Sequence, residues 1–184
     1  MIDLSQPDPP KKTQLLGPLT GSFTLIHFLV ILFLVFLAYG YPSTLLSLNA
    51  DDVIQIQPAS NDTTTFLSIG RWGYYFVFET ILKASPGGWI AAFFGSLALC
   101  LSGWIMSHEC RLKTALSVSL FIGLGAVSLP YVYLFSFDST RLACSIGVFI
   151  SVLAVALVRK YRLWSVGIGL ALLTAAPSFY PASL

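Results

Sequence analysis

The sequence predicts an all-α, polytopic membrane protein with about five transmembrane helices and one amphipathic helix in its first outer loop. Three observations predict it. Hydrophobic residues make up 56% of the 184 residues and charged residues only 10%, against about 45–50% and about 25% in soluble domains. Mean hydropathy is +0.81. Five stretches carry no Asp, Glu, Lys or Arg and approach the ~20 apolar residues that cross about 30 Å of hydrocarbon. The composition excludes intrinsic disorder. A net charge of +2 without an extended basic patch argues against a nucleic-acid partner.

The chain opens with residues 1–21, which hold Pro, Lys and Gln without an apolar period and read as a cytoplasmic tail. The predicted spans are 22–42, 87–107, 114–134, 142–158 and 163–181. The first has a basic leader, Lys11–Lys12, as a signal peptide would. Its apolar run Phe23–Ala38 is sixteen residues, longer than the ~7–15 of a signal core, so an uncleaved helix is expected.

Orientation follows Lys and Arg near the helix ends. Lys11, Lys12, Arg111, Lys113, Arg159, Lys160 and Arg162 fall on one side; Arg71, Lys83 and Arg141 fall on the other. The first side, with the N-terminus, is therefore cytoplasmic. Asp51, Asp52, Asp62, Glu79 and Asp138 gather on the outer side. Acids contribute little to orientation, so their gathering needs another account.

Residues 43–86 form the one long loop, and its second half reads as a helix over about 66–83. Ser68, Arg71, Tyr75, Glu79 and Lys83 recur at helical spacing, and Phe66, Ile69, Trp72, Gly73, Phe76 and Val77 fall mainly away from that stripe. Such a helix should lie in the membrane interface; a re-entrant hairpin or a short periplasmic helix packed on the bundle is the alternative. Small residues at Gly123, Gly125, Gly147, Gly167 and Gly169 permit close helix approach. Cys100, Cys110 and Cys144 have no CxxC spacing and read as small packing residues. His27, within the first span, reads as a hydrogen-bonded packing histidine rather than a proton relay.

Few residues remain that can do chemistry. Asp51 and Asp52 are adjacent, and their mutual repulsion holds one proton more tightly than water would, which suits a general base. Their hard oxygens also suit a divalent cation, Mg²⁺ or Mn²⁺; composition alone favours two solvated loop acids. Arg71 can meet a lipid phosphate bidentately, with Trp72 anchoring beside it at headgroup level. It also reads as an ordinary arginine reaching for the interface. Asp138 can cap the fourth span's N-terminus or stand as an acid beside the Asp51–Asp52 loop. Asn61-Asp62-Thr63 matches a glycosylation acceptor.

The ordered series Ala38-Tyr39-Gly40-Tyr41, Asn49-Ala50-Asp51-Asp52, Gly70-Arg71-Trp72, Pro130-Tyr131 with Phe137-Asp138-Ser139, and Tyr180-Pro181-Ala182-Ser183 resembles the N-terminal portion of the O-antigen glucosyltransferases of bacterial serotype conversion, which are similar in plan to the GT-C enzymes. The resemblance runs from about Ser22 onward. It implies an inner-membrane enzyme that moves glucose from a polyprenyl-phosphate carrier to a lipid-linked glycan acceptor on the periplasmic face. By that resemblance Asp51 or Asp52 activates the acceptor hydroxyl, Arg71 meets the donor phosphate, and Asp138 lines the same cavity. Ala50 separates Asn49 from the acids, where the family places its asparagine directly before them, so the choice between the two acids stays open. Members of the family are longer, and the chain is expected to be a fragment, a truncated product or a small relative needing a partner. The alternative function is a non-catalytic membrane protein, such as a component of a lipid-linked sugar flippase or a partner subunit.

Overall fold

The computed structural model describes residues 21–44, 70–77, 79–80, 88–128, 138–160 and 162–179, the side chains of 41–44, 88 and 138–140 excepted. These residues are mostly helical, without a strand. The helices are α1 (Leu25–Thr44), α2 (Trp72–Val77), α3 (Gly88–Glu109), α4 (Ala115–Ala126), α5 (Asp138–Val158) and α6 (Leu163–Ala175); a 3₁₀ turn, Ala176–Phe179, follows. At 1.5 Å per residue, the 22 residues of α3 and 21 of α5 extend about 33 and 31 Å. Trp89–Glu109 and Arg141–Val158 are long and apolar enough to cross a membrane; Leu25–Gly40, Ala115–Ala126 and Leu163–Phe179 are shorter apolar helices.

Capping fixes where several helices start and stop. Thr24 precedes α1, and His27 three residues on reaches back: its Nδ1 accepts from the Thr24 N–H at 3.2 Å and lies 2.7 Å from Thr24 Oγ1. This is the returning half of a capping box, with an imidazole in place of the usual Glu or Gln. Thr114 caps α4 by accepting from the Ser117 N–H at 3.2 Å. At the end of α3 the Leu112 N–H reaches the Ser107 carbonyl and the Arg111 N–H the His108 carbonyl, both at 3.0 Å. These are the two bonds of a Schellman motif, and they put Arg111 at the position where glycine is usual. Arg111 accordingly has φ of 58°, a left-handed backbone that costs a side chain about 1–2 kcal/mol.

The helices alternate in direction, so one end of the bundle gathers the C-termini of α1, α4 and α6 with the N-termini of α3 and α5. We call it the upper end. Phe28 of α1 lies 5.8 Å from Trp104 near the end of α3, and Phe36 lies 5.7 Å from Phe93 near its start. α1 and α3 are therefore antiparallel. At the lower end Ser22 and Thr114 form an isolated antiparallel bridge, and the Ala115 N–H donates to the Gly21 carbonyl at 2.9 Å.

α3 and α5 pack most extensively, through small residues. Ala92, Ser96 and Cys100 of α3 and Ala143 and Ala154 of α5 have no exposed surface, and Cys144 and Ser145 almost none. Small side chains let helix backbones approach closely. Cys100 and Cys144 are buried and in no disulfide, in keeping with packing. Hydroxyls are satisfied inside their own helices: Ser102 donates to Ala98, Ser145 to Arg141 and Ser151 to Gly147, the back-bonding that spares a polar group from seeking a distant partner. Ser96 Oγ is enclosed with no partner.

One core cluster joins Phe28, Ile31, Leu32, Val35 and Tyr39 of α1 to Leu99, Val118 and Ile122. The opposite face of α1 is equally apolar yet open, with Leu25 71%, Ile26 72% and Phe33 58% exposed. Trp72 and Trp89 at the upper end and Trp164 at the lower end are also more than half exposed.

Three boundaries differ most from the charge-free stretches. α5 starts at Asp138 rather than 142, since an acid is favourable in a first helical turn. α4 ends at Ala126 although the apolar run continues, just after Gly123 and Gly125. The last helix tightens to 3₁₀ from Ala176, the residue before Pro177, as a proline disfavours α geometry in the residue it follows.

Candidate functional site

The upper end holds the described part of the segment 43–86. Gly70 has φ of +78°, a turn that glycine adopts at no steric cost. It delivers Arg71 to the start of α2, where the Arg71 carbonyl accepts from the Tyr75 N–H at 3.0 Å. α2 is short and lies on the bundle. Tyr74 and Val77 are 2% exposed and join Ala91, Leu142, Ala143 and Phe179 in a second core cluster. The helix therefore shows two apolar sides. Gly73 and Val77 face the protein, while Trp72 and Phe76, one turn apart, are 51% and 62% exposed. Trp72 also meets the Phe179 ring edge-on at 6.1 Å.

Gly73 sets how closely α2 approaches. A Cβ there would stand 2.5 Å from Ser178 Oγ and 2.8 Å from Phe179 Cδ2. Gly73→Ala should lift α2 from the 3₁₀ turn and cost about 1–3 kcal/mol of local stability. Hydrogen exchange at the Tyr75 amide checks it: exchange should accelerate in the variant, while the amides of α3 and α5 keep wild-type protection.

Arg71 is half-buried, and its Nε is enclosed without a hydrogen-bond partner. A buried donor left unmade costs about 1–3 kcal/mol, more when charged, so this guanidinium sits where an anionic acceptor would be strongly favoured. Asp138 opens α5, whose following residues carry the cluster under α2. The structure thus brings Arg71, Trp72 and the backbone of Asp138 to one end. The Asp138 side chain, Asp51 and Asp52 lie outside what the structure describes, as do Ser68 and Lys83. Among the described residues no three His, Cys, Asp or Glu side chains gather as a metal site.

Arg141 is the residue whose setting the charge count misses. Counted in sequence as an outer positive charge, it is 1% exposed and the bulkiest of the fully buried side chains. Its Nη1 donates to the Tyr39 carbonyl at 3.1 Å, and the Tyr39 hydroxyl donates to the Ala126 carbonyl. Ala126 ends α4, so its carbonyl is one that no later turn can satisfy. Arg141 and Tyr39 thereby tie α5, α1 and α4 together. The position gives one clue in sequence: an Arg in the first turn of α5 opposes the helix dipole, so it needs other contacts to be there.

Between α3, α4 and α5 lies a cavity of about 490 Å³, lined by Met106, Ile122, Val148 and Val152 among others. Among the described residues its lining holds no titratable side chain. Compared with known protein families, curated proteins and solved structures, the chain matches none of them.

Proposed function

We propose that the chain is a bacterial inner-membrane protein of about five spans, N-terminus inside, that transfers glucose from a polyprenyl-phosphate donor to O-antigen or another surface glycan on the periplasmic face. The observation that carries this reading is Arg71, held half-buried at the upper end with its Nε enclosed and unpartnered, beside the exposed Trp72. A lipid phosphate is a fitting acceptor for such a guanidinium, and an indole settles at headgroup level. Membrane residence draws support from the open apolar face of α1, from two helices long enough to span, and from exposed tryptophans at both ends. Orientation draws support from Arg111, Lys113, Arg159, Lys160 and Arg162, all exposed at the lower end.

In the proposed reaction Asp51 or Asp52 takes the proton of the acceptor hydroxyl. The freed oxygen attacks the anomeric carbon as the bond from that carbon to the phosphate oxygen breaks. Polyprenyl phosphate leaves with an added negative charge, which Arg71 stabilises. Asp138 lines the acceptor side.

Membranes carrying the chain, given radiolabelled polyprenyl-phosphate glucose, should label a lipid-linked glycan. Arg71→Gln should lower kcat/KM by roughly 10- to 100-fold, matching about 1.5–3 kcal/mol for a hydrogen bond to a charged group. Absence of label with the wild-type chain would overturn the enzyme reading. Redistribution of the carrier across vesicles without label would assign the chain to carrier movement instead.

A further inference from the structure

The lower end carries a second charged feature, which the proposed transfer reaction does not use. Two short connections meet there: Cys110–Thr114 between α3 and α4, and the one holding Arg159, Lys160 and Arg162 between α5 and α6. An ion pair holds them side by side, with Arg159 Nη1 at 2.8 Å from Glu109 Oε2. The same nitrogen lies 3.4 Å from the Glu109 carbonyl.

That pair uses the one acid that the described residues place at this end. Arg111, Lys113, Lys160 and Arg162 remain, all exposed and none of them ion-paired among the described residues. Arg111 holds its place in a left-handed cap where glycine would be easier. Next to Arg162 stand Leu163 and Trp164, 93% and 60% exposed at the start of α6. Four unmatched cations beside an exposed leucine and indole make a surface with a charged rim and an apolar foot.

We infer that the two lower connections form a binding surface for the phosphates of anionic phospholipids in the cytoplasmic leaflet. Charge complementarity identifies the occupant. Guanidinium and ammonium groups meet phosphodiester oxygens, while Leu163 and Trp164 enter the headgroup–acyl boundary. The inference rests on membrane residence as proposed above but not on glycosyl transfer.

The test is lipid retention. The full chain is reconstituted in phosphatidylcholine bilayers containing a minority of phosphatidylglycerol, re-extracted in mild detergent, and its co-purifying lipid quantified by mass spectrometry. The wild type should retain phosphatidylglycerol above its bulk share, and added salt should weaken that retention. Arg111→Gly should lower retention about fivefold, the usual worth of one basic residue near an anionic surface. It should do so without lowering thermal stability, because glycine relaxes the cap. Lys160→Gln combined with Arg162→Gln should lower retention further. An inserted chain with no phosphatidylglycerol enrichment, or with variants that retain as much as the wild type, would overturn the inference alone. A chain that enters neither this bilayer nor pure phosphatidylcholine would overturn membrane residence, and the inference with it.

Discussion

Arg141→Ala should unfasten the upper end of the bundle and cost about 3–5 kcal/mol, through two losses of known size. The first is a hydrogen bond from a charged donor to the Tyr39 carbonyl, about 1.5–3 kcal/mol. The second is the cavity left by the bulkiest of the fully buried side chains, by analogy with large-to-alanine changes that cost about 2–5 kcal/mol. Relief of the buried charge offsets part of the sum. The result should be a melting midpoint in detergent lower by on the order of 10 °C, read from loss of helical circular dichroism. Arg141→Met separates the contributions. It keeps much of the volume and removes the charge, so it should lie much closer to wild type. If alanine melts as the wild type does, Arg141 does not tie α1 to α5.

The helical plan was legible because apolar content and the absence of charge are properties of whole segments. α3 and α5 lie within four residues of the stretches that composition marks. Their ends were less legible, since a rule that stops at the first charge clips helices that use charge in their terminal turns, as α5 does at Asp138 and α3 at Glu109. The rule also overruns where backbone chemistry stops a helix inside an apolar run, as at Ala126 and ahead of Pro177. The site divides the same way. Arg71 and Trp72 stood out as a charged and an amphipathic residue on one long connecting segment, and both lie at the upper end. What holds them was not visible: Gly73 against Ser178 and Phe179 is a contact across more than a hundred residues. Arg141 was misleading for a related reason. Sequence gives its charge, while its burial depends on Tyr39 and Ala126, which reach it only through the packing of α1 and α4.

Asp51→Asn together with Asp52→Asn should reduce glucose transfer by about 10²–10⁴-fold, the usual contribution of a positioned general base. A carboxamide matches the carboxylate in size but cannot take the acceptor's proton. The variant should therefore keep the wild-type melting midpoint and lose the product in the labelled-donor assay. The single variants decide what Ala50 leaves open between the two acids. If one carboxylate is the base, one single variant should fall nearly as far as the double, and the other should stay within a few-fold of wild type. Equal loss from both would mean that the pair works as a unit, as carboxylates sharing a divalent cation do; chelation by EDTA should then silence the wild type and added Mg²⁺ or Mn²⁺ restore it. Transfer undiminished in the double variant would remove both acids from the mechanism while leaving Arg71's role in donor binding to stand or fall by its own KM.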